Sequence, residues 1–427
     1  MISFIERREK LSYRTNDSIK YLLFLTIIYI FTHWFLLVAT GQWWDDWVYA
    51  DHDVEYMKDV WLQSSLPLRA YINMAVWNTD FRVIVFAMFY IDAVILYYIL
   101  NRTGLFNKDE SFYIDAIFLT FPINDARITF ICFGYSFCFF LFWCSFYAAS
   151  ISNECKKSKK VIFRLISLLF LFISFDTESI MIMAIVIYLY LCYKDYMYIV
   201  NDKKIIKIFM KNFDYIIIPI IWYVLDKTLF PGYGAYGGYN AIDWGKVIET
   251  MFKSPIYTLQ TLKSVLNNYW QTLKIPFVLF LIVAILLVRN IYDFVKCKQQ
   301  RLQYNCIGLK DGVVVLLGAI LFYLGAFPYL IRRGSGIGTV GPDGRDSLLL
   351  GLGGAILFFE LTKMIRHKMV QKSLLLLIIT LGMVHFNLEY MDWQEAYYQQ
   401  LEFRDEISEN KQIDGDDTFL TIFNQYK

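Results

Sequence analysis

Three short stretches hold residue types whose spacing could do chemistry. The first is Trp43-Trp44-Asp45-Asp46-Trp47. Adjacent carboxylates repel, so one of Asp45 and Asp46 holds a proton more tightly than a lone aspartate. Such a pair suits a general base, or a ligand for a divalent ion such as Mg or Mn. The simpler alternative is a tryptophan anchor carrying two solvated acids. The second is a pair of charged turns, Asn124-Asp125-Ala126-Arg127 and Asp176-Thr177-Glu178-Ser179, each set between apolar runs. Asp125, Arg127, Asp176 and Glu178 could line a cavity or pair internally. The third runs from Arg332-Arg333 to Pro342-Asp343-Gly344-Arg345-Asp346-Ser347 and holds five glycines. Glycines let backbone N–H groups converge, and arginine forks match phosphate oxygens, so Arg332, Arg333 and Arg345 suit a phosphate or pyrophosphate clamp. A flexible loop with incidental charge is the alternative, and the pattern is not a P-loop.

The elements that must position these residues are apolar. The chain has 427 residues, of which 57% are hydrophobic, 19% aromatic and 19% charged. Ordinary globular domains are about 45–50% apolar and about 25% charged. The excess falls in long runs separated by short charged segments, so the expected fold is an all-α polytopic membrane protein. A net charge of +2 points away from a nucleic-acid partner. The seven cysteines fall in apolar runs or Lys/Arg-rich segments, which disfavours a disulfide framework. The four histidines are too scattered for a zinc motif.

A spanning helix needs about 20 mainly apolar residues. Clear candidates are 20–40, 81–100, 128–150, 311–330 and 372–386, with shorter ones near 215–230, 272–289 and 347–362. Two stretches are ambiguous: 113–122 leads into the first charged turn, and 162–173 leads through the second into 180–192. Joining either stretch to the apolar run after its charged turn, as a single span, would put a lysine-rich segment outside, against the positive-inside rule. Reading each as two short helices gives 11 spans, with the N-terminus cytoplasmic. Residues 1–386 then form the membrane domain, and 387–427 a short extracytoplasmic tail of polar helix and strand-like TFLTIF. The outer segments are 41–80, the two turns, 231–271, 331–346 and the tail. Within 41–80, the expectation is one or two amphipathic helices lying at the interface. Helices of about 12 residues reach only ~18 Å, so the charged turns must be recessed in the outer half of the membrane. His33 is expected to be a buried hydrogen-bonded residue and Asp92 to face a partner within the bundle.

The order of these features resembles the GT-C class of glycosyltransferases that use polyprenyl-phosphate sugars, of the bacterial surface-polysaccharide type. The local likeness rests on WWDDW, NDAR and PDGRDS; the rest is architecture over most of the chain. The resemblance implies a multi-pass enzyme of the bacterial cytoplasmic (inner) membrane. It would move a sugar, with inversion, from a polyprenyl-phosphate donor to a glycan or lipid-linked acceptor on the outer face. Carried over, Asp45 or Asp46 is the base, and Arg127, Arg332, Arg333 and Arg345 meet the lipid phosphate. Trp44, Asp125, Asp176 and Glu178 then support the cavity. Adjacent acids depart from relatives that space theirs by one residue, which leaves open which acid acts and whether a metal takes part; Asp45, directly after Trp44 and the end of the first span, is the preferred base.

Two other classes share parts of the pattern. An O-antigen or capsule polymerase also has about a dozen spans and arginine-bearing outer loops, but little acidic constellation. A lipid-linked oligosaccharide flippase favours 12 or 14 spans in two related halves, and no internal repeat is visible here.

Overall fold

A computed structural model describes residues 2–47, 52–77, 79–198, 205–237, 244–275, 282, 309–365 and 367–409. Among these residues every regular element is helical. Among the described residues six helices are long and apolar enough to cross a membrane: Ser18–Leu37, Phe81–Thr103, Phe130–Glu154, Glu178–Met197, Asp311–Arg333 and Lys368–Glu406.

The first helix, α1 (Ile2–His33), passes through a 3-10 turn (Trp34–Leu37) into the loop that carries the two acids. Two short helices follow, α2 (Val54–Gln63) and α3 (Pro67–Val76), in the stretch expected to hold interfacial helices. Each has a local cause. The Asp53 carboxylate accepts from Tyr56 N at 2.8 Å to cap α2, and Pro67 opens α3, where its missing N–H costs nothing. Helix α4 (Phe81–Thr103) stops at Gly104, whose φ of +73° is a left-handed cap.

Both ambiguous stretches break into two helices. A reciprocal capping box between Asn107 and Glu110 starts α5 (Lys108–Thr120), and Phe121 turns extended ahead of Pro122 to end it. Two 3-10 turns, Asp125–Ile128 and Phe130–Cys132, then lead into α6 (Phe133–Glu154). Likewise α7 (Lys157–Ser174) ends in a turn, and a 3-10 segment (Glu178–Met183) enters α8 (Ala184–Tyr198). At 13 residues, α5 is only ~20 Å long, short of a ~30 Å hydrocarbon core.

The remaining helices are α9 (Ile205–Lys211), α10 (Asp214–Leu229), α11 (Trp244–Leu273), α12 (Leu309–Arg333), α13 (Leu350–Lys363) and α14 (Lys368–Glu409). Two features differ from expectation. Most of the segment 231–271 is one amphipathic helix, α11, whose polar residues grip the glycine-rich loop: Thr261 Oγ1 accepts from Ile337 N, and Asn268 Nδ2 donates to Thr339 Oγ1 and Pro122 O. The last span and the polar tail helix are a single unbroken helix, because nothing between Lys368 and Glu409 is a proline or a capping glycine. Most of the span expected at 272–289, and the strand-like TFLTIF, lie outside the described residues.

Segments expected on one side meet one another. Tyr233 N donates to Gln63 O at 3.1 Å, Leu68 N to Asp176 Oδ1 at 3.2 Å, and Trp47 Nε1 to Gln400 Oε1 at 2.5 Å. At the other end Lys363 pairs with Glu110 at 2.9 Å and with Asp311 at 3.0 Å. Buried His33 lies between Leu119 O at 3.0 Å and the Tyr390 hydroxyl at 3.2 Å, a hydrogen-bonded core histidine as expected.

Close helix approach depends on glycine. A Cβ at Gly353 would strike the Phe322 backbone of α12, and one at Gly382 would strike the Thr120 carbonyl of α5. Gly353→Ala should therefore separate α12 from α13 and destabilise the protein by about 1–3 kcal/mol. Gly312→Ala has open space around its added methyl and should be neutral or slightly stabilising. Thermal unfolding of the two variants in detergent checks the contrast.

Candidate functional site

The loop after α1 folds back on itself at Trp44, a non-glycine residue with φ of +56°. Asp46 N then donates to Trp43 O at 3.1 Å and Trp47 N to Trp44 O at 3.4 Å. This turn sends the two acids in different directions. The Asp46 carboxylate is buried and accepts from Phe130 N at 2.9 Å, Ile131 N at 3.0 Å and, at the limit, Trp43 N at 3.5 Å. Arg82, at the start of α4, adds its charge beside that carboxylate while donating to Ile128 O at 3.0 Å and to Gly41 O. Asp46 is thus a strut between the first outer loop and the charged turn before α6. Burial lifts its carboxyl to about 6, against the pull of the three N–H donors and Arg82.

Asp45 stays at the surface of the same turn, about half covered. Partial burial raises its carboxyl, and the positive charge of Arg345 opposes that rise. The Arg345 guanidinium lies 4.4 Å from the Trp44 ring centroid, a cation–π contact that holds it beside the acid. Trp44, Asp45 and Arg345 therefore come together from two loops some 300 residues apart in sequence.

The glycine-rich loop does not present its arginines as one cluster. Arg333 Nε meets Asp346 at 2.6 Å and its terminal nitrogen meets Asp343 at 2.5 Å, so two acids already neutralise it. Buried Asp346 also lies 3.7 Å from Arg345 Nε. Arg332 is exposed at the end of α12. Only Arg345 stands against Trp44 and Asp45.

The two charged turns divide the remaining roles. Asp125 Oδ2 accepts from Gly341 N at 2.9 Å and from Trp393 Nε1 at 2.8 Å, clamping the turn to the glycine-rich loop and to α14. Asn124 N adds a bond to Ser347 Oγ at 2.9 Å. Arg127, on the same turn, points inward: it donates to Asn124 O at 2.7 Å and its guanidinium lies 3.9 Å from the Phe89 ring centroid. Asp176 pairs with Arg69 at 3.7 Å and accepts from Leu68 N, and its carboxyl is pushed up to about 6 by burial against the pull of Arg69. Glu178 pairs with Lys227 at 2.8 Å. For Asp176 and Glu178 the internal-pairing alternative describes what is found.

Several functional-looking residues escaped sequence reasoning. Arg69 lies between the rings of Tyr135 at 4.2 Å and Trp61 at 5.5 Å, with Thr177 Oγ1 at 2.8 Å. The signal was one arginine in the apolar run LPLRAY. Arg82, Asp346 and Trp393 gave weaker signals: one charge at a span's start, one acid within the glycine-rich loop, and one tryptophan in a polar helix. As for a metal, among the described residues no three His, Cys, Asp or Glu side chains converge as a ligand set. Both Asp46 oxygens accept backbone N–H groups, while Asp45 stands apart from them at the surface of the turn.

Asp46→Ala strands the N–H groups of Phe130 and Ile131 and should destabilise by about 2 kcal/mol or more, whereas Asp45→Ala should stay within about 0.5 kcal/mol. The Asp46 carboxyl, at about 6 against an ordinary 3.8, binds its proton more tightly in the folded chain. Its contribution to stability is therefore full below about pH 4 and lost as pH rises through about 6; Asp46→Asn should flatten that part of the thermal-stability profile in detergent. Comparison of the chain with family models, curated proteins and solved structures finds no match.

Proposed function

We propose that this chain is a membrane glycosyltransferase of the GT-C type. It would move a sugar from a polyprenyl-phosphate donor to a glycan or lipid-linked acceptor at the outer face of a bacterial cytoplasmic membrane. The observation that carries the reading is the Trp44–Asp45–Arg345 group, an accessible carboxylate held next to a guanidinium that is itself fixed on an aromatic face. The reaction needs both charges. Asp45 accepts the proton of the acceptor hydroxyl as its oxygen attacks C1 of the donor sugar from the side opposite the phosphate. The C1–O bond to phosphate breaks, the configuration inverts, and Arg345 stabilises the charge growing on the departing phosphate. Trp44 offers an aromatic face beside the reacting centre. Asp46 keeps the loop in place, which favours Asp45 as the base.

The test is release of polyprenyl phosphate from a panel of polyprenyl-phosphate sugars by the purified, full-length protein. Asp45→Asn should lower turnover by about 10²–10⁴-fold with donor binding retained. Arg345→Lys keeps the charge but loses the fork, and should weaken donor binding. Wild-type turnover in Asp45→Asn overturns the assignment; lipid transport without sugar release from any donor would favour a flippase.

The eleven-span arrangement belongs to the same proposal, supported by most of the 41 Lys and Arg falling in segments assigned inside. In a background without native cysteines, Ser335→Cys should react with an impermeant thiol reagent from outside, and Ser158→Cys only after permeabilisation. The reverse pattern contradicts the arrangement.

A further inference from the structure

Behind the first charged turn, a small cavity opens between α4 and α6, with Phe89, Asp92, Asn124, Arg127, Ser136 and Leu348 in its lining. Two of these residues are ionisable and almost fully enclosed: Asp92 is 2% exposed and Arg127 4%. Asp92 lies eleven residues into α4, roughly 16 Å along it. A charge at that depth needs a partner. Arg127 spends Nε and one terminal nitrogen on the carbonyls of Asn124 and Ile123, at 2.7 and 3.3 Å. The charges of Asp92 and Arg127 act on each other, yet Asp92 Oδ1 has no hydrogen-bond partner among the described residues.

We propose that this cavity is a binding site for one ordered water molecule that bridges the Asp92 carboxylate to the Arg127 guanidinium. Size and chemistry both select water. The space holds about one water-sized molecule, and Asp92, Asn124, Arg127 and Ser136 bring polar groups to a lining that is otherwise apolar. A cation would meet Arg127 and an anion would meet Asp92, whereas water donates to the carboxylate and accepts from the guanidinium. Ser136 or the Asn124 amide supplies a third partner, the usual number for an internal water. The bridge ties the recessed turn to α4 from behind, while Asp125 on the same turn holds Gly341 and Trp393 in front. The site is independent of the proposed chemistry at Asp45.

A double-mutant cycle on the full-length protein in detergent tests the coupling. Asp92→Asn leaves the buried Arg127 charge without its acid, Arg127→Met leaves the buried acid without its donor, and each should lower the unfolding midpoint by roughly 5 °C or more. The double variant should regain at least half of the summed loss; strict additivity overturns the bridge. Should either single variant fail to fold, a high-resolution map of the wild-type protein decides. A density peak within about 2.7–3.2 Å of both Asp92 and Arg127 supports the site. An empty cavity, or direct contact between the two side chains, overturns it.

Discussion

A turn carrying Asp125 and Arg127 is buried at the head of a helix bundle, and the surrounding architecture follows from satisfying those two charges. Leaving either unpaired in a low-dielectric setting would cost several kcal/mol. The turn resolves the problem by facing two ways. Asp125 takes N–H donors from the glycine-rich loop and from Trp393, and Arg127 turns into the bundle against Phe89 and toward Asp92. The neighbouring N–H groups of Phe130 and Ile131 go to Asp46. Three distant segments are therefore held by one short stretch of chain.

That arrangement explains why adjacent, chemically identical acids have different surroundings. The left-handed backbone at Trp44 separates them: one carboxylate is pulled down onto the turn, and the other stays at the surface. A similar division runs through the arginines of the opposite loop. Arg333 is held between Asp343 and Asp346, which fixes the loop, while Arg345 is set on Trp44. In each pair one residue builds the site, and the other is presented by it.

Much of the helical framework was legible in the sequence because apolar length and lysine position are strong signals. The breaks at 121–132 and 174–183 followed from charged turns between runs too short to span. The continuity of α14 was not legible: a change from apolar to polar composition at Asn387 looks like a boundary, but composition does not end a helix without a breaker. At the site, residue types pointed to Asp45, Asp46 and Arg345, and position pointed to Asp45 as base, but neither gave the division of contacts between the two acids. That division depends on a single backbone angle at Trp44 and on which acids reach Arg333. Arg82 and Arg69 were missed because one charge in an apolar run gives no hint of its partner when that partner is a distant loop.

The proposed function places a lipid phosphate beside Asp45, on the guanidinium presented by Trp44. The most direct measurement is a cryo-EM structure of the full-length protein in nanodiscs containing polyprenyl phosphate. The expected result is phosphate density within about 3 Å of the Arg345 guanidinium, on the side facing Asp45. Phosphate density at Arg332, or at the opposite end of the bundle near Lys363, would contradict it.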